Sequence, residues 1–107
     1  MWASSAAAQD CDRLTNAQAF VVGVALLRNA DEQDNDSALL ERARVCLGRI
    51  RDDGGSEFLE ALYYTGVISV RLGKWHDAVR IYDVLWTIRD RLTQVQRSEL
   101  REDRTKV

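Results

Sequence analysis

Apolar positions recur along this chain at helical spacing. Phe20, Val24 and Leu27 stand four and three residues apart, as on a helix with one buried face. Thr15-Asn16-Ala17-Gln18 precedes them and reads as a capping box, the Thr hydroxyl accepting from a first-turn N–H while the Gln reaches back. The period fails across "NADEQDND", residues 29–36, whose Asn and Asp favour turns by bonding their own backbone. It resumes from Ala38 to about Arg51, with Leu39, Leu40, Ala43, Cys46, Leu47 and Ile50 inward and Asp36 or Ser37 as the cap. "DDGGS" is a clear break, after which Ser56 can cap a third helix running to Leu72. Gly73 supplies the left-handed residue that ends it, and a fourth helix starts near Trp75.

From Lys74 to Val107 there is no Gly or Pro to force a stop. Ala78, Ile81, Leu85, Ile88, Leu92 and Val95 step by three and four, which fits one long helix burying its seam in a homodimer. The other reading is a turn between Arg89 and Thr93 that folds a further helix back, with Thr87, Asp90 or Thr93 as its cap. A cap contributes only about 1 kcal/mol, whereas each apolar side chain left in water forgoes about 1.5–3 kcal/mol. Burial therefore decides, and the turn is preferred because the seam is short for a coiled coil. The expected organisation is a flexible arm over residues 1–14 and a helical domain over 15–107. Its hairpins cover about 16–51 and 56–90, and a C-terminal helix covers about 92–104.

The composition agrees with an all-α class. In 107 residues there is no Pro and there are six Gly, with 46% apolar and 30% charged residues, as packed helices require. A net charge of −2 argues against nucleic acid as the main partner. The charge is uneven: residues 29–60 carry nine acids against four Arg, and residues 89–107 carry six Lys/Arg against four acids. Solvated faces are the plain reading, and a basic end lying near an acidic surface is the sharper one. Cys11 and Cys46 belong to no CxxC or Cys/His cluster and read as two inert thiols in a reducing compartment. "MWASSAAA" lacks the basic and apolar regions of a signal peptide and reads as an arm, whose Trp2 is expected to dock on an apolar groove or on a neighbouring molecule.

No catalytic residue, cofactor or metal site is expected. His76, the single histidine, has only Asp77 beside it and cannot form a metal or triad constellation alone. Asp52-Asp53 and the acidic segment 31–36 lack calcium-loop spacing, and Gly54-Gly55 is not followed by the Lys-Ser/Thr of a phosphate loop. Binding is the class that remains.

The second hairpin resembles a tetratricopeptide (TPR) unit. Leu62 stands at the first large apolar position and Gly66 at the small position four later. Gly73 is in the turn, Trp75 takes the place of a Tyr, Ala78 is the small residue of the second helix, and Tyr82 is the aromatic four on. Gly66 and Ala78 would let two backbones approach while Trp75 and Tyr82 fill the wedge around them, so Trp75 is expected to be a buried, structural side chain. Setting Phe20 on Leu62 gives a separation of 42 against a period of roughly 34; the excess falls largely in the acidic loop 29–37 and in "DDGGS", which gives the first unit an enlarged interhelical loop. With "QAFVVGVALLRN", the acidic loop, "LLERARVCLGRI" and "YYTGVISVRLGKWHDAVRIYDVLW", the chain is similar over roughly residues 15–90 to the cytosolic domain of the mitochondrial fission 1 protein family.

The resemblance implies a TPR-like bundle of two antiparallel helical hairpins plus a C-terminal helical segment. It implies an adaptor that recruits division machinery on the cytosolic face of the mitochondrial outer membrane or at the peroxisome, with membrane contact only through an anchor that this chain does not carry. The alternatives are a cytoplasmic TPR-type chaperone or assembly-factor module with a soluble protein partner, and an oligomerisation unit. A protein or peptide partner is expected in a concave groove lined by the first helix of each hairpin. Gln18, Val21, Ala25, Arg28 and Asn29 come from the first, and Glu60, Tyr63, Val67, Val70 and Arg71 from the second. Val21, Ala25, Val67 and Val70 would form an apolar floor, with Arg28 and Arg71 as rim cations for a carboxylate.

Overall fold

Helix α1, Asn16–Glu32, begins as its sequence dictates. The Thr15 hydroxyl accepts from the Gln18 N–H at 3.2 Å and the Gln18 side chain accepts from the Thr15 N–H at 3.0 Å. A computed structural model describes residues 11–107, and among these every regular element is helical. The buried stripe of α1 is Ala19, Gly23, Leu26, Leu27 and Ala30, with Phe20 and Val24 only half-buried. Small residues hold the centre of this stripe because α2, Ser37–Gly48, lies almost against the α1 backbone. A Cβ built on Gly23 would sit 2.5 Å from the Leu47 side chain.

Two expectations about the acidic segment are corrected. Helix α1 continues through Asp31 and Glu32, since Ala30 is fully buried in the helical interface, and tertiary packing of this kind outweighs local turn preference. The connection is then a tight turn, not an enlarged loop. Asp34 and Asn35 adopt positive φ of 56° and 60°, and the Asn35 N–H donates to the Ala30 carbonyl at 2.7 Å. Asp36 is the cap of α2, its carboxylate accepting from the N–H groups of Ala38 and Leu39. Leu40, Ala43, Cys46, Leu47 and, beyond the helix, Ile50 are buried.

Helix α3, Ser56–Arg71, follows a turn in which Gly54 has φ of 87°. Its cap is Gly55, so Ser56 is a helical residue and not the cap. Gly73, at φ of 74°, closes α3: its N–H donates to the Val70 carbonyl and the Lys74 N–H to the Ser69 carbonyl at 2.8 Å, a Schellman closure. Helix α4, Trp75–Thr87, packs Ala78, Tyr82 and Leu85 inward. A Cβ on Gly66 would lie 2.7 Å from Tyr82 Cε1, so the close approach expected of this hairpin is present. Trp75 is not buried: it is 53% exposed. At 3.6 residues per turn it falls roughly 60° away from Ala78, on a flank it shares with Val79 and Trp86.

The chain then turns. A 3₁₀ turn, Arg89–Arg91, leads to buried Leu92, and Thr93 starts helix α5, Gln94–Thr105, through a second capping box with Gln96. Leu100 is fully buried, while Val95 is 67% exposed and has no part in a seam. Side chains of α1, α2 and one face of α3 (Ala61, Ile68) form one cluster. Leu59, Ala78, Tyr82, Leu85, Leu92 and Leu100 form the other. Helix α3 is common to both.

Cys11 and Cys46 are joined in a disulfide with Cα atoms 5.3 Å apart, which corrects the reading of two inert thiols. The corresponding part of the arm is corrected as well. Residues 11–13 form a helical turn, Cys11 is buried, Leu14 packs on the core and Asp12 pairs with Arg49. The docking expected of Trp2 lies outside the described residues. Polar ties complete the frame. The Asn16 side chain donates to the Arg51 carbonyl at 2.8 Å and accepts from its N–H at 3.1 Å. Arg91 grips Asp52 with two bonds of 2.8 and 3.0 Å, so the basic end does meet the acidic segment.

Candidate functional site

The ten groove residues divide into two groups of different fate. On α1, Gln18, Val21, Ala25, Arg28 and Asn29 are all exposed, Val21 to 67%. On α3, Glu60, Tyr63, Val67 and Val70 are half-buried, and only Arg71 is exposed. Tyr63 and Val70, seven residues apart, lie on the flank of α3 that packs against the cluster of α4 and α5. Tyr63 is held there by its hydroxyl, which donates to Asp103 of α5 at 2.5 Å. Neither belongs to an open floor shared with Val21 and Ala25. Arg71 is paired with Asp31 across the ends of α3 and α1, so it is a clasp and not a free rim cation.

The contact between α1 and α3 joins Phe20, expected in the interior, to Tyr64, and Arg71 to Asp31; Tyr64 and Asp31 stand outside the ten groove residues. Phe20 meets Tyr64 with ring centroids 6.1 Å apart, and Asp31 supplies the clasp. The signal was present: Glu60, Tyr64, Val67 and Arg71 recur at four, three and four residues, a single stripe of α3.

Between α3 and α5 lies a pocket of about 150 Å³. Its floor is Leu59, Leu85, Leu92 and Leu100, side chains contributed by α3, α4, the turn and α5. Its mouth carries Glu60, Tyr63, Tyr64, Gln96 and Glu99. Burial pushes the Tyr63 hydroxyl far above the usual tyrosine range, and the Asp103 hydrogen bond and the charges of Asp103 and Glu99 push it further. Tyr82 is pushed up to about 12, by burial first and then by the charge of Asp103. Among the described residues, Glu60, Glu99 and Asp103 have no ion-pair partner. The mouth is therefore electronegative, the reverse of the cationic rim expected from Arg28 and Arg71. Such a recess suits an apolar side chain flanked by a cation.

His76 is exposed on the first turn of α4. Among the described residues no group of three or more His, Cys, Asp or Glu side chains is placed to hold a metal ion, and no helix is long and apolar enough to cross a membrane. No protein-family model, curated protein or solved structure matches the chain.

Proposed function

We propose that the chain is a non-enzymatic protein-binding module of TPR-like build. It captures a segment of a protein partner along α1, α3 and α5. An apolar side chain of that segment enters the α3/α5 pocket, and a neighbouring Lys or Arg meets Glu60 and Glu99. The observation that carries this reading is the pocket itself, a leucine floor under a carboxylate mouth that no described cation neutralises. The exposed row Gln18, Val21, Ala25, Arg28 and Asn29 on α1 extends the contact. The fission 1 resemblance gives a narrower form of the same proposal, recruitment of division machinery at an organelle surface. Disulfides persist in oxidising compartments and are reduced in the cytosol, so Cys11–Cys46 favours the general form.

The test is a comparison of partner capture by the wild-type chain with capture by a Glu60→Lys/Glu99→Lys variant, with partners identified by cross-linking and mass spectrometry. The reversal is expected to abolish capture of basic, apolar segments without a shift in melting, because neither carboxylate supports the fold. Undiminished capture by the reversed variant would refute the reading.

A further inference from the structure

We infer that the outer flank of α4, walled by α5, is a second docking groove, built for an acidic protein segment that carries an aromatic or large apolar side chain. This inference does not depend on the α3/α5 pocket. Trp75, Val79 and Trp86 are four and seven residues apart and so form one stripe. Trp75 is 53% exposed and Val79 40% exposed. Beside the stripe a cleft of about 450 Å³ runs between the helices, with Val79, Tyr82 and Trp86 at its base and Arg101 and Arg104 along its wall.

The side-chain charge of this cleft is unbalanced. Three guanidiniums converge on one indole, Arg89 and Arg104 each 4.7 Å from the Trp86 ring and Arg101 5.9 Å from it. Asp83 is the one carboxylate side chain lining the cleft, and it is taken by Arg104 at 3.1 Å. Arg89 donates to the Trp86 carbonyl at 2.8 Å. Arg101 has no hydrogen-bond or ion-pair partner among the described residues. Arg104 thus pins α5 to α4, while Arg101 offers a free planar donor pair beside an aromatic base. That combination recognises a carboxylate next to a ring or a bulky apolar group. A flat anionic lipid surface fits less well, because the base is recessed between two helices and holds Asp83. The polarity is opposite to that of the α3/α5 pocket, so the two sites select different segments.

Fluorescence anisotropy with the full chain tests this, using labelled short peptides of alternating Asp and Glu around one central Phe. The acidic Phe peptide is expected to bind saturably, more weakly as salt rises. Arg101→Glu should lower its affinity about tenfold or more, the loss of one charge-assisted contact, with melting unchanged. The Glu60→Lys/Glu99→Lys variant should bind it undiminished, which separates this site from the other. Equal binding of a Lys-for-acid peptide, equal binding of a Phe→Ser peptide, or indifference to Arg101→Glu would each overturn the inference. So would a preference for phosphatidylserine vesicles over the peptide, or a self-association that Arg101→Glu abolishes, since the occupant would then be a membrane or a second copy.

Discussion

A methyl group added at Gly66 would lie 2.7 Å from Tyr82 Cε1 and 3.2 Å from Ile81 Cγ2, in the interface of α3 and α4. Both neighbours are held in a packed cluster, so neither can simply swing away. Ala is the better helix former by about 1 kcal/mol, yet overpacking costs about 1–3 kcal/mol, and the second effect wins. Gly66→Ala is therefore expected to lower the urea midpoint, and a midpoint at or above wild type would show that Tyr82 can shift at no cost. Gly66 was legible as a close-approach residue because its spacing to Ala78 and Tyr82 fixes which helices must meet. Trp75 was not. A large aromatic beside a turn reads as core, but its angle around α4 depends on how α3 and α4 are rotated, which one sequence does not state. The buried centre of α1 likewise falls on Ala19 and Gly23, not on Phe20 and Val24, because α2 packs closely over Gly23.

At the scale of elements, caps were the most legible features. Thr15, Asp36, Gly73 and Thr93 each act through groups within a few residues, so local chemistry suffices. The α3/α5 pocket was legible only in part. Glu60 and Tyr63 follow from their place on α3, but Gln96, Glu99 and Leu100 are on an element whose position depends on a turn and two buried leucines, Leu92 and Leu100. Two of the contacts that hold this element and the turn before it involve groups with shifted pKa. The Tyr63 hydroxyl has its folded pKa raised, so its contribution is complete below the ordinary tyrosine value of 10.0 and is lost as pH rises beyond it. Asp52 is lowered from 3.8 to about 2 by the Arg91 hydrogen bonds first and the Gly54 N–H second. Its contribution is present above the unfolded value and disappears as pH falls towards about 2. Asp52 is exposed, where solvent screens its pairing, so the alkaline edge is expected to dominate. The urea midpoint should fall as pH rises above 10 in wild type and fall less steeply in Tyr63→Phe, where Tyr82 remains as a raised group. An identical alkaline transition in both proteins would show that Tyr63 does not hold α5.

For the whole molecule, the covalent link matters more than any one ion pair. The described ion pairs are on partly or largely exposed side chains, where a pair contributes about 0–1 kcal/mol. The Cys11–Cys46 bridge closes 35 residues, α1 and most of α2, and ties the chain segment before Thr15 to the core of the first hairpin. In the chain-entropy account a loop of that size contributes about 4 kcal/mol, a large share of the roughly 5–15 kcal/mol that a small domain possesses. The pairing was illegible because Cys46 announces only an inward position on α2, and Cys11 precedes every periodic stretch. Their proximity follows from the close packing of α1 on α2 that Gly23 permits. Reductant is therefore expected to lower the urea midpoint strongly in wild type and to leave a Cys11→Ala/Cys46→Ala variant, already at the lower midpoint, unaffected. Since α4 and α5 lie outside the closed loop, the reduced chain should lose the first hairpin first. Amide exchange would then accelerate in α1 and α2 before Ala78, Tyr82 and Leu100. Uniform acceleration across both clusters would mean that α3 couples them too tightly for either to open alone.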